Sequence, residues 1–322
     1  MRYPTINDIL KYKNKPNQIT KQIPDNIILK KSLFLPPGSL FSKLYNSFIF
    51  YMNVEKYITQ NSIVYFFIPH LDIIKRIKKI QLIKKIDVIK IFDIIHNWWE
   101  IPWRRDKNKF FAEYVIKYSD IVITDSELLF NKLKTSLYNL SLILPGFDEK
   151  IWGSRKTKII INKDELKGVF FGNLRNNNDI ELINGLSKIK NVKIDAYGLI
   201  NVNNLDYKVS YKGQLVNKEL AKKIIEYDFI LLPYDKSSFS NSISPAKYFE
   251  SLRTGLPIIS NSRLSVKGWN DYTYKISTYT YDEIKKIVLG HNRTKKRNQI
   301  LFSMQHTWTN RYNILNNLIC FD

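Results

Sequence analysis

Apolar and polar positions along the chain fall into two alternating patterns. Short apolar runs bounded by Pro, Gly or Asn read as strands. Longer stretches with apolar residues every three or four positions read as helices. In the first half, strands are expected at 27–34, 63–68, 88–95, 121–124 and 140–144. Helices are expected at 40–58, 75–85, 107–118 and 127–135, with Ser126 as an N-cap. Pro69 argues that the second strand stops at Phe67 or Ile68. Residues 147–165 are more polar, and the pattern then restarts. Strands are expected at 168–171, 192–197, 207–212, 229–232 and 257–260. Helices are expected at 180–188, 217–226 (with Asn217 as cap), 246–253, 282–289 and 296–318. Strand-helix alternation in both halves predicts an α/β protein of two doubly wound domains, residues 1–150 and 151–322.

Length agrees with this division, since 322 residues exceed one ordinary core. No apolar run reaches the roughly 18 residues of a membrane span. The N-terminal stretch lacks the apolar centre of a secretory signal, and Cys320 is the only cysteine, so a cytoplasmic location is expected. The formal charge of +22 changes the picture. One reading is a lysine-rich composition spread over a solvated surface. The other is a positive face toward anionic lipid, nucleic acid or a phosphorylated substrate. Lys75, Arg76, Lys78, Lys79, Lys84, Lys85 and Lys90 crowd the segment 73–92 between apolar residues. That segment reads either as an amphipathic helix on an anionic membrane, or as a packed helix with snorkelling lysines. Nucleic acid is set aside, because no zinc finger, recognition-helix pattern or aromatic-basic sheet motif is present.

Candidate chemistry gathers at strand ends in the second half. Gly172 and Arg175 follow one strand, where a glycine admits a phosphate and an arginine can pair with it. The alternative is a plain turn with a surface arginine. Gly198 and Pro233-Tyr234 follow two others. The run 244–259 combines Ser244, Pro245, Lys247 and Glu250 with a Gly-x-Pro turn and an apolar strand. Ser244 reads as a helix cap, with Pro245 first in the helix, or as a phosphate ligand. Glu250 reads as a solvated helix residue or as an acceptor for two ribose hydroxyls.

These strings resemble the GT-B glycosyltransferases of the glycosyltransferase group 1 superfamily, in particular its capsule, teichuronic-acid and lipopolysaccharide enzymes. The matching positions are Gly172, Gly213-Gln214-Leu215, Glu219-Leu220, 228–234 and 245–259, with Ser251 where the family has Tyr. The resemblance implies two Rossmann-like domains facing across a cleft. It implies that Glu250 binds the donor ribose and that Lys247 and Arg175 face the diphosphate, with Gly172, Tyr234 and Ser244 completing the donor site. Many members carry a second glutamate eight residues before the ribose-binding one, where this chain has Ser242.

In the first half, the strand 88–95 runs into His96, Trp98 and Trp99. The tryptophans are either a stacking surface for an acceptor or a hydrophobic plug. His96 and Asp93 are both candidates for a base. Within the resemblance, His96 stands where an aspartate is usual, Glu113 faces the cleft, and Trp308 and Arg311 match a closing helix. The implied reaction moves a hexose from a nucleoside diphosphate sugar, UDP or GDP, to a glycan or lipid-linked acceptor hydroxyl. No bound metal and no tightly held cofactor are expected. The protein would work in the cytoplasm, peripherally on the inner membrane face. An epimerase or hydrolase on the same fold, and a donor-binding protein without catalysis, are the alternatives.

Overall fold

The computed structural model describes residues 40–95, 97–100, 105–152, 164–175 and 178–319. The expected strand at 27–34 and most of the expected connection at 147–165 lie outside them. The chain divides into two compact units. One is Met1–Ile91 with Phe110–Asp120; the other is Phe92–Lys109 with Ile121–Asp322.

The first half contains α1 (Leu40–Asn53), a 3-10 turn (Glu55–Tyr57), β1 (Ser62–Phe66), α2 (Leu71–Lys84), β2 (Val88–Ile94), α3 (Arg105–Lys117), β3 (Ile121–Thr124), α4 (Glu127–Leu133) and β4 (Leu140–Leu142). Its sheet runs in the order β1-β2-β3-β4. Ile58, Ile77, Ile80 and Val88 form one buried cluster of the first unit. The expected helix 40–58 is thus a helix and a separate 3-10 turn. The expected helix 75–85 begins earlier, with His70 in extended geometry at its N-cap. Ser126 caps α4 as expected, its hydroxyl accepting from the Leu129 N–H at 3.3 Å.

The second half contains β5 (Leu166–Phe171), α5 (Ile180–Ser187), β6 (Val192–Tyr197), β7 (Ser210–Tyr211), α6 (Asn217–Ile224), β8 (Phe229–Leu231), α7 (Ser238–Asn241), α8 (Ala246–Thr254), β9 (Ile258–Ile259), α9 (Trp269–Tyr272), β10 (Thr273–Tyr274), α10 (Tyr281–Gly290), α11 (Arg293–Ser303) and α12 (Trp308–Ile319). The sheet order is β10-β9-β8-β5-β6-β7, and each of its pairings is parallel. Alternate residues serve opposite faces. Val169, Phe171, Ile230, Leu232 and Ile258 enter one buried cluster. Phe170, Phe229, Leu231 and Ile259 enter the other. Both faces are covered, which is why these strands read as unbroken apolar runs.

Three expectations are corrected here. Asn217 is the first residue of α6, and Val216 is its N-cap without a side-chain bond. Pro245 is the N-cap of α8, so Ser244 lies one residue outside and caps nothing. The expected helix 296–318 is two helices. Asn292 caps α11 through the Lys295 N–H, and the chain breaks at Met304–Thr307, where Phe147 pairs with Thr307.

Candidate nucleotide-binding site

The second sheet reverses direction of growth between β5 and β8. From β5 the chain adds β6 and β7 on one side, then returns to add β8, β9 and β10 on the other. Loops leaving the carboxyl ends of β5 and β8 therefore diverge and leave a crevice between them, the usual ligand position in open parallel sheets. A cavity of about 220 Å³ lies there, lined by Phe170, Asn173, Arg175, Asn178, Leu232, Pro233, Tyr234 and Lys247.

Asn178 joins the two sides. Its side-chain oxygen accepts from the Arg175 N–H at 2.7 Å, and its amide group donates to the Pro233 carbonyl at 3.1 Å. Asp179 then caps α5, accepting from Leu182 N–H at 3.0 Å. This staple fixes the loop that carries Arg175 against the end of β8.

Lys247 and Glu250 enter from α8. They are three residues apart and share one helix face. The other face buries Tyr248, Phe249, Leu252 and Thr254. The helix ends at Gly255, whose φ of 70° is the left-handed C-cap geometry that favours glycine. From the first turn of α8, Lys247 reaches across the backbone at Gly172. The φ there is +115°, and a Cβ at that position would overlap Nζ and Cε of Lys247. Glycine is favoured by that backbone geometry, and the lysine side chain occupies the space a Cβ would take. Lys247 Nζ also stands 5.6 Å from the Phe170 ring centroid.

Burial dominates the electrostatics. It pushes Lys247 down to about 8; Glu250 opposes this shift and Arg175 adds to it. Burial pushes Glu250 up to about 7, against the pull of Lys247. It also raises the Tyr234 phenol, with Glu250 adding to the effect. Such clustering of perturbed groups in a crevice makes this the candidate functional site. Ser244 is buried, and its hydroxyl has no hydrogen-bond partner.

Gly172, Arg175, Tyr234, Lys247 and Glu250 are thus brought together, with Ser244 just before the helix that carries two of them. Sequence reading missed Asn173 and Asn178. No local signal marks Asn178, because its contact is 55 residues away.

The remaining candidates are elsewhere. Asp93, at the end of β2, is buried and receives Arg311 Nη2 at 2.6 Å. Arg311 projects from α12 and also donates to the Ile143 and Leu144 carbonyls. The ion pair makes Asp93 an anchor for the last helix. Asp125, also missed, lies beside this pair. Burial first, and Asp93 second, push it up to about 7, while Arg311 pulls the other way. Glu113 is exposed on α3, and His96 lies outside the described residues. Trp98 and Trp99 are both buried, at 7% and 8% exposure, in keeping with the hydrophobic plug.

No family model and no curated protein sequence matches the chain. Solved structures do. The Anabaena protein Alr3699/HepE in complex with UDP and glucose aligns with a TM-score of 0.60 at 12% identity, covering 89% of this chain and 85% of that one. The apo lipopolysaccharide outer core galactosyltransferase WaaB aligns at 0.57 and 12% identity, covering 87% and 80%. The pneumococcal O-GlcNAc transferase GtfA, with UDP and GlcNAc, aligns at 0.52 and 14% identity, covering 85% and 60%. The fold is GT-B, with two Rossmann-like domains.

Proposed function

We propose that the protein is a glycosyltransferase, specifically a hexosyltransferase, that uses a nucleoside diphosphate sugar bound between the ends of β5 and β8. The observation that carries this reading is Lys247 laid over Gly172 at the sheet's reversal point, with Glu250 one turn along the same helix. HepE and GtfA were crystallised with UDP, which favours uridine over guanosine.

In this reading Glu250 accepts hydrogen bonds from the ribose hydroxyls. Lys247, Arg175 and the Ser244 hydroxyl hold the diphosphate at the start of α8, where free amide N–H groups and the helix dipole also favour an anion. As the bond from the anomeric carbon to the phosphate oxygen breaks, its electron pair moves onto the diphosphate. The acceptor oxygen forms the new bond, and its proton passes to a base. The cations stabilise the charge that develops on the leaving group. Protein cations do this work without a bound metal in our proposal. Asp93 is committed to Arg311, so acceptor activation is assigned to His96, two residues beyond β2. Donor contacts come from residues 151–322, and acceptor contacts from 1–150.

Calorimetric titration with UDP, GDP, ADP, TDP and CMP tests this, with EDTA and with added magnesium, on wild type, Glu250→Ala and Lys247→Ala. Binding of UDP in EDTA that weakens in both variants supports the reading. Absence of binding to every nucleotide overturns it.

A further inference from the structure

Two neighbouring helices of the first unit turn apolar side chains outward. On α1, Leu40, Phe41, Leu44 and Phe48 are 74%, 71%, 64% and 60% exposed. At 3.6 residues per turn these four fall within an arc of about 100°. Asn46, on the opposite side, is buried. This reverses the usual polarity of a surface helix, whose apolar stripe faces the core.

α2 packs beside α1. It buries Ile74, Ile77 and Ile80. Its outward arc, again about 100° wide, holds exposed Lys75, Lys79, Leu82 and Ile83. Lys75 stands 5.6 Å from the Tyr114 ring of α3. Tyr114 packs on Phe110, which is 57% exposed. Lysine, aromatic and branched aliphatic groups therefore meet on one outer surface.

Four of the other five basic residues of the segment 73–92 are engaged in the fold. Lys90 is buried in an ion pair with Asp120 at 2.7 Å. Arg76 pairs with Glu55 at 3.2 Å. Lys78 sits 3.6 Å over Tyr118, and Lys84 donates to the Ile58 carbonyl. The earlier grouping of seven cations is thus corrected. The outward charge of α2 is carried by Lys75 and Lys79, with Lys85 at its end.

We propose that this face docks on an anionic lipid bilayer, with Leu82, Ile83, Phe110 and the α1 stripe entering the headgroup boundary and Lys75 and Lys79 facing lipid phosphates. The charge decides the occupant. Apolar groups interleaved with exposed lysines fit an anionic interface, whereas a second copy of the chain would bring like charge to like. The proposal goes beyond the donor site and does not depend on it.

The test is flotation of the full chain with vesicles of phosphatidylcholine alone, or with one-third phosphatidylglycerol. Expected is binding to the anionic vesicles only, weakened about five-fold per lysine in Lys75→Gln/Lys79→Gln. Leu82→Ser/Ile83→Ser should lower it about ten-fold or more. Lys218→Gln/Lys222→Gln removes the same charge from exposed α6 and should leave binding within two-fold. Circular dichroism melts confirm folding, so the readout is independent of nucleotide binding. Absent vesicle binding, equal loss in the α6 variant, or a dimer abolished by Leu82→Ser/Ile83→Ser without vesicle binding, each overturns the proposal.

Discussion

Gly172→Ala separates what the glycine does for the fold from what it does for the site. At φ +115° an alanine is strained, and such backbone strain costs about 1–3 kcal/mol of stability. The added methyl group also overlaps Nζ and Cε of Lys247, with Cδ at 3.1 Å. The end of a lysine side chain moves easily, so this overlap is relieved by expelling Lys247 from the crevice. The second cost therefore falls on donor affinity. A hydrogen bond between charged groups contributes about 1.5–3 kcal/mol, which raises the Kd for UDP roughly 10- to 150-fold. Lys247→Ala should do the same without the backbone cost. In the Lys247→Ala background, Gly172→Ala should still lower the melting temperature but change Kd less than about three-fold, since its target is gone. Calorimetry on the four proteins of this cycle, with thermal melts, measures both effects. If the two losses in affinity multiply, Lys247 does not reach the diphosphate by way of Gly172 and the mechanism given for the site is wrong.

Binding of UDP should follow a bell-shaped pH profile. Its acid arm lies near Glu250 at about 7, because the carboxylate form accepts the ribose hydroxyls. Its alkaline arm lies near Lys247 at about 8. Glu250→Gln should flatten the acid arm and Lys247→Ala the alkaline arm; unchanged arms would refute these assignments. Arg311→Met should cost about 3–5 kcal/mol in urea denaturation, because it leaves the Asp93 carboxylate buried without its cation; a loss below about 1 kcal/mol would show the pair to be incidental. Asp125 is raised above its unfolded value, so the stability of its neutral form is present in acid and is lost as pH rises through about 7. Asp125→Asn should therefore gain stability over wild type between about pH 4 and 7 and keep that gain above, and a pH-independent difference would contradict this. Gln299→Leu removes two bonds that its amide group donates to the Leu252 and Leu256 carbonyls at the end of α8. It should cost about 1–3 kcal/mol, visible as a lower denaturation midpoint.

The alternation of strands and helices was legible because β5 and β8 are apolar on both faces, and sequence records that directly. Short elements were not. β9, β10 and α9 comprise two to four residues each, too few to show a period. The break between α11 and α12 rests on Phe147 pairing with Thr307, a contact between distant parts of the chain. Lys247 and Glu250 could be found because their spacing of three is a local fact. The significance of Gly172 was only half legible. A glycine at a strand end signals close approach, but that Lys247 makes the approach follows from β5 lying beside β8. Asp93 shows the same limit. A carboxylate at a strand end resembles a base until Arg311, 218 residues further on, takes it up.

The half-buried charges of the crevice explain why a ligand is expected there at all. Lys247 and Glu250 are both pushed toward their neutral forms by desolvation, and each only partly offsets the other. Keeping such groups in a fold costs stability unless something repays it. A nucleoside diphosphate does so on both sides, since its phosphates favour the charged lysine and its ribose hydroxyls donate to the carboxylate. Ligand and fold are then linked. UDP at one hundred times its Kd should stabilise the protein by about 2.7 kcal/mol. The gain should shrink in Lys247→Ala and Glu250→Gln at the same UDP concentration, while both variants, freed of a partly desolvated charge, melt no lower than wild type without ligand. Thermal melts with and without UDP read both quantities. Variants that lose the ligand's gain and also melt markedly lower on their own would show that the two charges serve the fold, and the case for a built donor site would fail.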